Sequence, residues 1–169
     1  MSTGSHATLL APSSWVSQWA PLIPQGTVLD LACGSGRHAR FLAGLGYSVT
    51  ALDREPQAIE SVRFIQADLE DGSPWPLPGA RFQGVVVANY LHRPLFPLLK
   101  DSLAPGGVLL YETFMLGNER FGKPSNPAFL LQPGELWQAF RGLRILAFEQ
   151  GTTAQPKPAM MQRLCAVQS

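Results

Sequence analysis

Val-Leu-Asp-Leu-Ala-Cys-Gly-Ser-Gly-Arg-His-Ala-Arg, running from Val28 to Arg40, starts as an apolar strand and breaks at Gly34 and Gly36. Helical spacing then resumes through Ala39, Phe41, Leu42 and Leu45. A strand, a glycine turn and a helix start form an elbow suited to binding a ligand. Without Cβ atoms the two glycines accept positive φ and let a ligand approach the backbone closely.

Outward from the elbow, the chain alternates strands with helices. Gly26 to Leu31 reads as the first strand, and the helix after the turn runs to about Leu45, where Gly46 closes it. Tyr47 to Leu52 is a second strand ending at Asp53, and Arg63 to Ala67 a third ending at Asp68. A short helix is expected over Pro56 to Ser61, with Pro56 in its first turn. The Val-rich run Phe82 to Ala88 has the composition of a strand buried on both faces and ends at Asn89-Tyr90. A helix from Pro94 to Leu103, the turn Ala104-Pro105-Gly106-Gly107 and a strand Val108 to Phe114 follow.

Toward the C-terminus, Pro133 to Phe140 reads as a helix and Leu143 to Gln150 and Ala159 to Val167 as strands. The link Thr152 to Pro158 is too short for a crossover helix, so these last two strands form an antiparallel hairpin. At the other end, residues 1 to 12 read as an arm, and Ser13 and Ser14 before Trp15, Val16 and Trp19 predict an N-capped helix ended by Pro21 and Pro24. Strands separated by helices predict a mostly parallel α/β sheet with right-handed crossovers. Residues 115–132 hold Gly117, Asn118, Gly122, Pro124, Asn126 and Pro127 with almost no periodicity. A loop of that length in a small domain is usually functional, and a substrate lid is expected there.

Bulk properties narrow the classes. At 169 residues the chain suits one core, so a single domain over 1–169 is expected. A net charge of +1 argues against duplex nucleic acid or an anionic membrane as partner. Cys33 and Cys165 have no metal-like spacing and suggest no disulfide framework. Reduced thiols and the absence of a secretory signal pattern make a cytoplasmic location the expectation, and no apolar run is long enough to span a bilayer.

In an open α/β sheet, ligands bind beyond the carboxyl ends of the strands. Ala32 to Gly36, Asp53, Asp68, Asn89-Tyr90 and Glu112 to Phe114 all fall there. Gly34-Ser35-Gly36-Arg37-His38-Ala39 also satisfies the G-x-G-x-x-A dinucleotide pattern, with Asp53 at the ribose-acid spacing. An NAD(P)-dependent oxidoreductase is therefore a rival, as is a non-catalytic cofactor-binding domain. Asp30 disfavours the first, because a carboxylate at the end of the first strand repels a pyrophosphate yet suits an ammonium group.

These residues resemble the class I S-adenosylmethionine-dependent methyltransferases, through Asp30 to Gly36, Asp53, Asp68-Leu69 and Ala104 to Gly107. More narrowly, the elbow and the small size look like the bacterial tellurite-resistance type. The resemblance implies a Rossmann-like doubly wound sheet of seven strands, mostly parallel with an antiparallel C-terminal hairpin, in the order 3-2-1-4-5-7-6. It implies S-adenosylmethionine as cofactor, with Ala32, Gly34 and Gly36 along its methionyl part and Asp30 near its ammonium. Asp53 would take the ribose hydroxyls, and Asp68, Leu69 and Arg54 would surround the adenine. Asn89 and Tyr90 would close the pocket under the sulfonium.

Since the sulfonium is already activated, positioning and water exclusion can carry methyl transfer, with a base only where the acceptor loses a proton. Tyr90, His92 and Glu112 are the candidate catalytic residues, joined by Asn118, Glu119 and Arg120 from the long loop. Each has a blander reading. His92 can cap or pack at a helix start, and Glu112 faces the site or the sheet according to register. Asp53 can cap a turn, Cys33 can be filler, and His38, Trp15 and Trp19 can be packing residues. A small-molecule acceptor is the expected partner, with the chain a monomer or homodimer.

Overall fold

A computed structural model describes residues 11–169; the expected arm lies, up to residue 10, outside the described residues. One seven-stranded sheet organises the chain in the order β3-β2-β1-β4-β5-β7-β6. Its strands are β1 (Thr27–Leu31), β2 (Ser48–Asp53), β3 (Arg63–Gln66), β4 (Phe82–Ala88), β5 (Leu103–Phe114), β6 (Arg144–Thr153) and β7 (Ala159–Val167). The helices are α1 (Ser14–Trp19), α2 (Arg37–Gly44), α3 (Phe96–Asp101) and α4 (Glu135–Ala139). β1 pairs in parallel with β2 and β4, β2 with β3, and β4 with β5, whereas β7 runs antiparallel to both β5 and β6. Among the described residues no helix is long and apolar enough to cross a membrane.

Alternation along the strands divides the core in two. Val28, Val86 and Leu110 pack with Trp15, Val16, Ala39 and Leu42 of α1 and α2. Their neighbours Leu29, Val85 and Tyr111 pack on the opposite face with Phe96 and Leu99 of α3, Leu136 of α4 and Phe140 directly after it. There Phe96, Tyr111 and Phe140 meet with ring centroids 5.2 to 6.1 Å apart. Burying each such side chain contributes roughly 1.5–3 kcal/mol. Trp15 is core, with its indole N–H donating to the Leu164 carbonyl at 3.0 Å, and the Ser13 side chain caps α1 at the Val16 amide.

Three local expectations are corrected. No helix forms over residues 56–61; the segment takes an irregular path that buries Ile59 beneath Gly36. The helix expected to run to Leu103 begins as a 3-10 turn at Arg93–Leu95 and ends at Asp101. Residues 104–107 do not separate helix from strand but lie within β5 as a register shift opposite Phe82 and Gly84. Gly107 fits there because a Cβ would sit 2.8 Å from the Ala104 carbonyl oxygen and 2.9 Å from that of Phe82.

Residues 115–132 are tied down at both ends. Leu130 and Leu131 are fully buried, and Leu131 bridges to Met115. Asn118 is buried, its amide donating to the Pro124 carbonyl while its oxygen accepts from the Met160 amide. Between these anchors Glu119 to Lys123 is exposed, with the Arg120 guanidinium 5.4 Å from the centre of the Phe121 ring.

Candidate functional site

The chain turns sharply where β1 leaves the sheet, and the backbone is strained there for a purpose. Ala32 has φ 54°, an arrangement that costs an L-residue with a Cβ roughly 1–2 kcal/mol. Gly34 and Gly36 follow at φ 55° and 91°. The two glycines differ in what surrounds them. A Cβ on Gly34 would meet nothing, since that position opens onto the cleft, whereas one on Gly36 would lie 2.6 Å from Ile59 Cδ1. Gly34 leaves open space and Gly36 lets Ile59 pack against the turn.

Across the strand ends run two hollows that share Ala32. Asp53, Arg54, Ala67, Leu69 and Tyr90 border one. Asp30, Gly34, Arg37, His38 and Asn89 border the other. Gly36, Asp68, His92 and Glu112 border neither.

Asp30 is the most unusual group of the second hollow. It is 2% exposed, and its Oδ2 has no hydrogen-bond partner. Burial pushes its carboxyl up to about 7, partly offset by the Ala39 amide and the Arg37 charge and reinforced by Asp53. A buried carboxylate with an open oxygen calls for a cationic or donor partner. Beside it, His38 accepts from the Ser13 amide through Nε2 at 3.0 Å, which ties the start of α1 to α2. Burial, helped by Arg37, lowers this imidazole to about 4 and keeps it neutral. Cys33 is pushed by burial up to about 12, so it stays a thiol.

In the first hollow, Asp53 ends β2 and accepts from the Gly34 amide through Oδ2 at 2.9 Å and from the Glu55 amide through Oδ1 at 3.0 Å. Its carboxylate couples the glycine turn to the end of β2 and retains lone pairs for a diol. Asp68 is exposed and accepts from the Glu70 amide. Arg54 is exposed and paired loosely with Glu55.

The three candidate catalytic residues separate. Tyr90 lies beside Asp53 and Leu69, and its hydroxyl donates to Glu70 Oε2 at 3.0 Å. Burial and that carboxylate push its phenol well above the usual range, so it remains a neutral donor. His92 Nδ1 stands 3.6 Å from Glu70 Oε1, so Glu70 faces both. Glu112 is 4% exposed and bound by Arg163 Nε at 3.0 Å, with Arg163 reaching on to Glu149. Opposite Ala88 in the ladder, it shares a sheet face with Leu110 and lies under α1 and α2 rather than toward Tyr90.

Two groups escaped the sequence reading. Glu70 joins Tyr90 and His92, and nothing in its loop position marks it except its place two residues after Asp68. Arg93 forms a bidentate pair with Glu135, Nε to Oε2 at 2.6 Å and Nη2 to Oε1 at 2.9 Å. It also donates to the carbonyls of Ala128 and Leu130, and so fixes the far end of the 115–132 segment.

A family model described as a methyltransferase domain matches residues 28–107, from the elbow to the glycines of β5. Trans-aconitate 2-methyltransferase of Methylobacterium nodulans is 35% identical over 100 residues, covering 53% of this chain and 38% of that protein. Ribosomal protein L11 methyltransferase of Cupriavidus taiwanensis is 34% identical over 115 residues, covering 64% of this chain and 38% of that protein. The chain thus spans about two fifths of the length of these relatives. TehB from Haemophilus influenzae superposes with a TM-score of 0.77 at 18% identity, over 94% of this chain and 63% of that one, and supports the fold. Residues 28–107 are thus similar to methyltransferase domains, and the sheet order, with β7 antiparallel between β5 and β6, belongs to a fold that the chain shares with TehB.

Proposed function

We propose that the chain transfers a methyl group from S-adenosylmethionine to a small-molecule acceptor by in-line displacement. The observation that carries this reading is the pairing of the buried, open Asp30 oxygen with the Asp53 carboxylate in two hollows that adjoin at Ala32. A ligand with an ammonium at one end and a ribose diol at the other satisfies both, while a dinucleotide pyrophosphate would sit against Asp30 unpaired.

The cofactor supplies an electrophilic methyl on a sulfonium. This chain's residues orient it: Asp30, Ala32, Gly34 and Asn89 along the amino-acid end, with Gly36 holding the turn. Asp53 takes the ribose, and Arg54, Leu69 and Tyr90 enclose the base, with Asp68 at its rim. The Glu70–Tyr90 bond clips the post-β3 loop over that hollow. His92, steadied by Glu70, is the group available to take a proton from an acidic acceptor. Glu112 serves through its pairing with Arg163, by holding β5 against β7. The exposed stretch Glu119 to Lys123 forms the outer wall toward the acceptor.

An acidic small molecule is the kind of acceptor named for one relative, trans-aconitate, whereas another is named for a ribosomal protein. Titration calorimetry with S-adenosylhomocysteine and with NADH tests the donor: heat from the first alone is expected, and heat from NADH alone would overturn the reading. Incubation with methyl-labelled S-adenosylmethionine, a metabolite extract and a protein extract tests the acceptor. Label is expected in the low-mass fraction; label in protein alone would refute the small-molecule assignment.

A further inference from the structure

β6 is the last strand of the sheet, with β7 on one side and no strand on the other. Among the described residues, no backbone–backbone hydrogen bond reaches Arg144–Thr153 from outside the β6–β7 ladder. Its outer edge therefore offers unused N–H and C=O groups, a template for another strand. Leu146 is exposed there, and so is Trp137, whose ring stands edge-on to Phe148 with centroids 5.6 Å apart.

The charges along this edge do not balance within one chain. Arg163 serves two carboxylates, Glu112 through Nε at 3.0 Å and the exposed Glu149 through Nη1 at 3.5 Å. Arg144 is exposed and enters no ion pair among the described residues. The spacing from Arg144 to Glu149 is odd and would put them on opposite faces of a regular strand. A bulge at Leu146 reverses this: Ile145 pairs with Ala166 and Ala147 with the adjacent Cys165, so that Leu146 is skipped. Arg144 then lies opposite Val167 and Glu149 opposite Arg163, both on the face of Cys165, while Ile145 and Phe148 share the other face with Ala166 and Leu164.

We propose that β6 is the interface of a homodimer, pairing antiparallel with β6 of a second copy about a two-fold axis between Leu146 and Ala147. On one face that register sets Arg144 opposite the second copy's Glu149 and, by symmetry, Glu149 opposite its Arg144. On the other face Ile145 opposes Phe148, with Trp137 packed against the latter in each copy. Directly opposed residues must share a face, and the bulge is what lets both kinds of pair do so. Bulges and charges on an edge strand usually deter pairing; these fit a copy of the same edge. The unpaired cation of each chain meets the carboxylate that competes for Arg163 in the other. An unrelated strand would need the same two charges at the same spacing, whereas a second copy carries them by construction. β7 and β5 separate β6 from β4, so the interface lies away from both hollows.

Sedimentation equilibrium of the full chain tests this. The wild type is expected to approach twice the monomer mass as concentration rises. Arg144→Glu opposes carboxylate to carboxylate across the axis, and Glu149→Arg opposes guanidinium to guanidinium, so each variant alone should dimerise at least about tenfold more weakly. An equimolar mixture of the two should recover the dimer, since every pair in the mixed species is again of opposite sign. A merely structural role for either residue cannot give that rescue. Because Glu149→Arg also confronts Arg163, cysteine cross-linking gives a reading that does not depend on its folding. Leu146→Cys, exposed and beside the axis, should link two copies under mild oxidation. Thr152→Cys, whose two copies would stand roughly 30 Å apart, should not. A wild type that stays monomeric overturns the proposal: β6 amides open to hydrogen exchange in that monomer would leave the edge to a different partner, and protected ones to another segment of this chain. A dimer that survives both charge variants, or a mixture that stays monomeric, overturns it as well.

Discussion

The Asp30 carboxylate, 2% exposed with one oxygen unpartnered, is held in surroundings that oppose its charge. Replacing it by the isosteric amide removes that opposition and also the partner for a ligand's ammonium. Asp30→Asn is therefore expected to melt higher than the wild type at about pH 8 without ligand. It should also bind S-adenosylhomocysteine at least about tenfold more weakly. Thermal melts and calorimetry on one preparation check both halves; a variant that melts no higher would show that the buried charge is already compensated. Asp53 differs, because its carboxylate is partly exposed and already accepts from the Gly34 and Glu55 amides. Asp53→Ala should lower the same affinity by at least about tenfold, since one change removes both the ribose acceptor and the tie that shapes the glycine turn. Affinity equal to wild type would place the ribose elsewhere.

Among the elements, the strands were far more legible than what joins them. Phe82 to Ala88 and Ala159 to Val167 have in the structure the limits that their apolar composition and flanking turns suggested. The hairpin of β6 and β7 followed from a link too short to cross the sheet. The missing helix at 56–61 is the instructive failure: local propensity there competes with the drive to bury Ile59 beneath Gly36, and a contact distant in sequence leaves no local trace. The site shows the same divide. Asp30, Asp53 and the glycines stand at strand ends and could be placed from pattern alone. The partners of Tyr90 and Glu112, namely Glu70 and Arg163, come from other strands and loops and could not.

Two elements invite direct tests. Gly36→Ala would place a Cβ 2.6 Å from Ile59 at φ 91°, so a loss of roughly 1–3 kcal/mol is expected in urea unfolding. Pairing it with Ile59→Ala should recover only the steric share. Arg93 joins the turn after β4 to the far end of the 115–132 segment through Glu135, whose carboxyl is raised by burial but held below its usual range by those bonds. Arg93 is 40% exposed, so Arg93→Ala should cost only about 1–2 kcal/mol globally. Hydrogen exchange at the Leu130 and Leu131 amides should nevertheless rise sharply. Protection that persists there would show that burial of the two leucines alone fixes the segment.

At the scale of the whole molecule, two buried groups tilt stability with pH in opposite directions. Asp30 is raised by burial from 3.8 to about 7, so between those values the folded state holds a proton that the unfolded state has released. Its effect is to lower stability as pH rises through that window. His38 is lowered by burial from 6.5 to about 4, so there the unfolded state holds the extra proton, and stability is lost as pH falls. Each slope approaches about 1.4 kcal/mol per pH unit in mid-window. Across the overlap, from about pH 4 to about 6.5, they oppose one another and the ligand-free protein should vary little on their account. An ammonium placed on Asp30 favours the ionised carboxylate, with Arg37 acting in the same sense and Asp53 against it. Bound ligand therefore cancels the Asp30 slope and leaves that of His38. The melting-temperature gain from saturating S-adenosylhomocysteine should accordingly grow as pH rises from about 5 to about 8. Asp30→Asn, which lacks the titrating acid, should lose that growth and show the His38 slope even without ligand. Scanning melts over this range with and without ligand measure both; a ligand-induced gain independent of pH would mean that Asp30 is ionised before the ligand arrives.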